Sequence, residues 1–167
     1  MNIRKARLAD APEVIRLWKA LEAHHRAEFG FGAPGAFAYK KNAVSIYRKF
    51  LLKRLAARNA AVFVAEDGGR IIGYIMASVN KLFPILVHDR EAFVNELVVE
   101  KAHRRKGVGT KLLGAAEAWA KKKGLFWLGL TVHTENRAAM AAYVKFGMKA
   151  LNVKMVKMYK TNRDRKL

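Results

Sequence analysis

The stretch EAFVNELVVEKAHRRKGVGTKLL, residues 91–113, restricts the fold more than any other part of the chain. An apolar run of strand character leads through Arg104, Arg105 and Lys106 into Gly107-Val108-Gly109, and helical spacing follows. A strand feeding a glycine turn and a helix leaves the first N–H groups of that helix without carbonyl partners, at the end where partial positive charge collects. Such an end suits phosphate. Glycine lets the main chain come close to it, because no Cβ stands between. Two phosphate patterns are excluded by spacing: the P-loop needs four residues between its glycines, and the dinucleotide fingerprint needs a third glycine where Leu112 stands. On the glycine pair alone, a tight turn with solvated cations explains the stretch equally well.

The rest of the chain reads as alternating elements. NIRKAR has strand character, and Asp10 with Glu13 forms a capping box ahead of Val14, Leu17, Trp18, Leu21 and His25 at helical spacing. That helix is expected to end near FGFGAPG. A second helix spans about Lys40 to Arg58, with Val44, Tyr47, Leu51 and Leu55 as its apolar stripe and a basic opposite face. Val62 to Ala65 and Ile71 to Val79 flank Asp67-Gly68-Gly69 as a hairpin. After the glycine turn, Val108, Leu112, Ala116 and Trp119 mark a helix that closes at Gly124 behind three lysines. LFWLGLTV reads as a strand covered on both faces. Asn136 to Phe146 reads as a helix with Ala139, Ala142, Tyr143 and Phe146 inward, ended by Gly147, and KALNVKMVKMY as a last strand. The expected order is β-α-α-β-β-β-α-β-α-β, a mixed α/β chain around one central sheet with flanking helices.

Composition narrows the partners rather than the fold. Thirty-three Lys and Arg against thirteen Asp and Glu leave +20, which favours encounters with anions such as nucleotide phosphates or nucleic acid. No cysteine is present, so disulfides, thiolate metal sites and a cysteine nucleophile are excluded. The histidines show no metal-ligand spacing, and no metal is expected. The charged start MNIRKARLADAPEV has no apolar signal core and no later window approaches a membrane span, so a soluble cytoplasmic protein without membrane contact is expected. A nucleic-acid or ribosome-associated module is the competing class, raised by the run from Lys149 through Lys154, Lys157, Lys160, Arg163 and Arg165 to Lys166. Aromatic interleaving there is limited to Tyr159, so nucleic acid is not the favoured partner; a homodimer is compatible with the sequence.

NELVVEKAHRRKGVGTKLL followed by NRAAMAAYVKFGM resembles the GCN5-related N-acetyltransferase (GNAT) superfamily. Arg104, Gly107 and Gly109 match the cofactor-loop motif, and Asn136, Ala139, Tyr143 and Gly147 match the second signature. The resemblance covers residues 60–150 closely. Length and the lack of a dividing linker suit one domain over residues 1–167, with the polar 160–167 a frayed basic tail. The resemblance implies that this domain is an acetyltransferase acting on a primary amine with acetyl-CoA (coenzyme A) as donor in a ternary complex. It implies that N–H groups of Arg105, Lys106, Gly107, Val108, Gly109 and Thr110 hold the pyrophosphate. Arg104 and its neighbouring cations add charge. Main-chain groups of Leu97, Val98 and Val99, on a strand that splays from its neighbour, would pair with the pantetheine arm, and Asn136 would hydrogen-bond the same arm. Taken singly, each is also an ordinary strand residue or helix cap.

The chemistry requires a neutral amine, whereas an alkylamine is protonated at neutral pH. Of Asp89, Glu91, Glu96 and Glu100, Glu96 is the favoured base or ammonium anchor, with a solvated strand carboxylate as the plain alternative. The following strand, where some relatives place a carboxylate, has Thr131; His133 is a weaker substitute. The resemblance gives Tyr143 the role of proton donor to the departing thiolate, for which a phenol needs no ionisation. Its place on an apolar helix face also fits a core aromatic. A CoA-binding regulator without turnover is the third class, and retention of Tyr143 argues against it.

Overall fold

The computed structural model describes residues 1–28 and 39–157. Five strands form one sheet in the order β1-β2-β3-β4-β5: β1 Asn2–Lys5, β2 Ala60–Asp67, β3 Arg70–Lys81, β4 Arg90–Val99 and β5 Leu128–Leu130. Helices α1 Ala11–Glu28 and α2 Ala43–Ala56 precede β2, α3 Val108–Lys122 joins β4 to β5, and α4 Arg137–Lys145 follows. The first four strands pair antiparallel, and β4 pairs parallel with β5. A parallel pair needs a crossover, which α3 supplies.

The hairpin forms as its turn residues dictate. Gly68 and Gly69 adopt φ of 55° and 76°, the doubly left-handed geometry of a two-residue turn, and Asp67 pairs with Arg70 across it. Each face of the sheet carries its own core. Val14, Leu17, Trp18, Tyr47 and Leu51 from α1 and α2 meet Val62, Val64, Tyr74, Met76 and Val98 on one face. Val108, Leu112, Leu113 and Ala116 of α3 meet Ile72, Ile75, Ala77 and Val94 on the other. Fully buried side chains of this size contribute roughly 1.5–3 kcal/mol each.

The ladder between β3 and β4 slips by one residue. Ala77 faces Val94, but Met76 faces Glu96, so Asn95 is an extra residue on β4. Asn95 is exposed and its Oδ1 accepts from Ser78 Oγ at 2.9 Å. Beside the bulge, β4 and β5 part company: only Ala92, Val94 and the residue between them have partners on β5. The far edge of residues 95–99 has no strand partner among the described residues.

Several expectations are corrected. Asp10 does not cap α1 with Glu13; it lies in a short 3-10 turn, accepts from the Arg7 N–H at 2.6 Å and is gripped by the Arg4 guanidinium at 2.7 and 2.9 Å. Glu13 pairs instead with Arg16. The second helix is shorter than Lys40 to Arg58, and Val44 is 41% exposed rather than packed. LFWLGLTV yields three strand residues only, none fully buried, because β5 is an edge strand. Ala142 is exposed, while Tyr143 and Phe146 are half-buried against the α3 core. The last strand does not form: residues 149–157 carry no regular structure, and Leu151, Val153 and Met155 are exposed. Its final two residues, the tail 160–167 and the expected loop at FGFGAPG lie outside the described residues. Among the described residues, no helix is long and apolar enough to cross a membrane.

Candidate active site

The parting of β4 from β5 opens a cleft of about 880 Å³ lined by α1, β4, the loop into α3, the segment after β5 and α4. Sequence-expected residues meet there from four separate elements. Glu96, Leu97, Val98, Val99, Arg104, Arg105, Gly107, Gly109, Thr110, Asn136 and Tyr143 all line it. Two do not. The Val108 side chain is buried in the α3 core, which leaves only its N–H for a ligand, and Lys106 is exposed outside the lining.

The loop into α3 has the geometry that its glycines require. Gly107 is the N-cap with φ 79° and ψ 0°, and Arg105 is also left-handed at φ 60°. A non-glycine residue at such φ is uncommon and strained. A Cβ on Gly107 would meet nothing within 4 Å, so packing does not demand glycine; the backbone conformation does. The Arg104 guanidinium donates through Nε to the Val99 carbonyl at 3.1 Å, tying the loop to the end of β4. Arg104 thus holds the loop in shape as well as adding charge. Open space above the glycines, a helix N-terminus behind them and an unpaired strand edge leading away fit an extended ligand with phosphates at one end.

Asn136 is the N-cap of α4, its Oδ1 accepting from the Ala139 N–H at 3.1 Å. Its amide NH2 is the group left to reach a ligand. Tyr143 packs against the α3 core and also faces the cleft, and burial pushes its phenol up, which keeps it protonated at neutral pH.

Glu96 is not a solvated strand carboxylate. Its Oε2 accepts from the Tyr47 hydroxyl at 2.5 Å and the Tyr74 hydroxyl at 2.7 Å, and the two phenols lie 3.2 Å apart. Burial raises the Glu96 carboxyl above the ordinary carboxylate range, and the two phenol donors pull part of the way back. Both phenols are raised, chiefly by burial and next by the Glu96 charge. Tyr47 is itself fixed by stacking on Trp18, with ring centroids 4.1 Å apart and planes 7° from parallel.

Tyr47 and Tyr74 were hidden in the sequence because both occupy apolar stripes, where a tyrosine reads as core. Glu22 was missed too. It lines the cleft from α1, and burial, then the charge of Glu96, raises its carboxyl. His24 and His25 both line the cleft, and burial lowers His25. His133 lines it as well, and its Nδ1 accepts from the Glu135 N–H at 3.2 Å. Thr131 is exposed at the same cleft.

Comparison with known proteins identifies the family. The acetyltransferase (GNAT) family model matches residues 17–148. The chain is 28% identical over 147 residues to the uncharacterized N-acetyltransferase YhfO of Bacillus subtilis, covering 88% of this chain and 89% of that one. It is 29% identical over 159 residues to an N-alpha-acetyltransferase of Sulfurisphaera tokodaii, covering 91% and 82%. Among solved structures, a mutant of the BH1408 protein of Bacillus halodurans shares the fold with a TM-score of 0.81 at 22% identity, covering 96% of this chain and all of that one. With two motifs meeting in one cleft and a family model spanning most of the sequence, the chain belongs to the GNAT family and is an acetyl-CoA-dependent N-acetyltransferase.

Proposed function

We propose that the chain acetylates a primary amine by direct attack within a ternary complex, with a peptide α-amine as the preferred acceptor. The observation that carries this reading is the position of Glu96: a half-buried carboxylate clamped by two phenols, in the same cleft as the glycine loop and Tyr143. When bound, acetyl-CoA supplies a thioester carbonyl to be attacked and a sulfur to depart. The N–H groups of Arg105 to Thr110 would hold the pyrophosphate, and the open edge of Leu97, Val98 and Val99 with the Asn136 amide would align the pantetheine arm.

In this reading the residues of the chain move three protons. Glu96 takes one from the incoming ammonium, directly or through a water, so that the nitrogen lone pair forms the new N–C bond. Tyr143 gives its hydroxyl proton to sulfur as the C–S bond breaks, and the second nitrogen proton, released as the amide forms, restores the Tyr143 hydroxyl through a water. The first transfer sets the preference among acceptors. An α-amine has a pKa of about 7.7–8.0 against about 10.4 for a lysine side chain. A raised carboxylate therefore has a far smaller acidity gap to bridge for the former. The name of the Sulfurisphaera tokodaii relative supports the same acceptor class.

The test is acetyl transfer from acetyl-CoA to a panel of peptides with free α-amines, α-blocked peptides with one lysine, and small alkylamines. Transfer to the first set, lost in Glu96→Gln with acetyl-CoA binding retained, is expected. Exclusive use of blocked lysine peptides or alkylamines would overturn the acceptor assignment, and full activity of Glu96→Gln would overturn the base.

A further inference from the structure

The outer face of α2 has no part in the cleft, yet it holds the most one-sided charge of the described chain. Arg48, Lys49, Lys53 and Arg54 lie in α2 and Lys40, Lys41 and Arg58 flank it, seven cations without an acid, and no acid occurs anywhere between Glu28 and Glu66. Lys40, Lys41, Arg48, Lys49, Lys53 and Arg58 are exposed; the seventh cation, Arg54, lies over the Phe50 ring at 4.9 Å. Among the described residues none of the seven forms an ion pair with a carboxylate. The other long helices are different: Arg16 of α1 pairs with Glu13, and Lys121 of α3 pairs with Glu117.

Such a face repels itself, and it is stabilised by a polyanion laid along it. Helix α2 has 14 residues, about 20 Å of rise. That is the length of about six phosphates of one nucleic-acid strand at ~3.4 Å each. A membrane surface fits less well. Interfacial helices turn a broad apolar face into the lipid, whereas Tyr47 and Leu51 of α2 are buried on the protein. Its exposed apolar residues are Val44 and Ile46, confined to its start.

We propose that the outer face of α2 is a docking surface for the phosphodiester backbone of nucleic acid, read by charge and not by base sequence. The inner side of the same helix places the Tyr47 hydroxyl on Glu96. A bound strand therefore lies about one helix diameter, ~10 Å, behind the candidate acceptor site. An amine borne by a nucleic-acid-associated chain would be concentrated beside the cleft.

The experiment measures anisotropy of a fluorescein-labelled RNA of mixed sequence, titrated with the full chain across a range of potassium chloride concentrations. It compares wild type with Arg48→Gln/Lys49→Gln/Lys53→Gln and with a charge-matched control, Lys121→Gln/Lys122→Gln/Lys123→Gln. Each phosphate that the protein no longer neutralises lowers the slope of log affinity against log salt by about 0.7–0.9. The α2 variant should lose about 2–3 from that slope, and the control should keep most of it. Melting temperatures no lower than that of wild type and unchanged acetyl transfer to the best amine of the panel establish that both variants are folded. Equal losses in the two variants would reduce the effect to overall charge and overturn the proposal. So would salt-independent RNA binding, or α2-dependent capture by phosphatidylglycerol vesicles without RNA binding.

Discussion

Replacing Tyr74 by Phe isolates the clamp on Glu96. Tyr74 is fully buried, and its ring would stay in place while one oxygen leaves. A hydrogen bond to a charged group is worth about 1.5–3 kcal/mol. Its loss raises the Glu96 carboxyl further, because the charged form loses a donor. The sign follows from linkage. The Glu96 carboxyl already lies above its unfolded value, so it favours the folded state in acid, and that advantage is lost as pH rises through the folded value. The variant, raised further, loses more on the same climb. Wild type and variant should be closest at pH 4, where only a neutral hydrogen bond is missing, and should diverge toward pH 8 by about 1.5–3 kcal/mol. For a chain of this size that is a gap of roughly 3–12 °C in melting temperature. Thermal unfolding at a series of pH values measures it without any acceptor. A gap that is the same at pH 4 and pH 8 would show that Glu96 does not ionise against the two phenols, and the case for it as the base would fall.

Four further outcomes are expected. Tyr143→Phe should lower the chemical step by about 10²-fold, the low end of general acid catalysis because a thiolate leaves readily, with acetyl-CoA affinity nearly unchanged in a binding titration. Acetyl-CoA at a hundred times its dissociation constant should add about 2.7 kcal/mol of stability. Gly107→Asp should abolish that shift in a thermal melt, since φ 79° is unsuited to a side chain and the new charge opposes the pyrophosphate. Gly73→Ala should cost about 1–3 kcal/mol in denaturant unfolding, because its Cβ would sit 2.7 Å from the Val98 carbonyl oxygen and 3.3 Å from Leu112 Cδ1.

The parts legible in the sequence are those where local chemistry decides local shape. Gly68 and Gly69 permit one kind of turn, and Gly107 permits a left-handed start to α3. The apolar spacing of Val108, Leu112 and Ala116 leaves one face for the sheet. Asn136 announces its cap through the Ala139 N–H three residues on. What stayed hidden depends on residues distant in the chain. The Glu96 clamp joins positions 47, 74 and 96, and no spacing relates a helix tyrosine to a strand tyrosine and a glutamate. Asp10 misled because its strongest partner, Arg4, comes from a neighbouring strand and outweighs the local cap. LFWLGLTV misled because hydrophobicity cannot tell a covered strand from an edge strand, and Phe126 ends 65% exposed.

The extra residue at Asn95 has a meaning beyond the local kink. Strand side chains alternate strictly, so Val94, Glu96 and Val98 would all point the same way in an unbroken strand. Here Val94 belongs to the α3 core, whereas Val98 joins the α1 and α2 core and Glu96 meets Tyr74 on that side. One inserted residue acts as a phase slip: the strand enters the cleft with one parity and leaves with the other. The slip puts the carboxylate and the α3-side residues Leu97 and Val99 on opposite faces of one strand, while the separated edge between them stays open. Shortening β4 by that single residue would re-phase the strand, turn either Glu96 or the apolar residues beyond it to the wrong layer, and merge two chemically distinct sides into one.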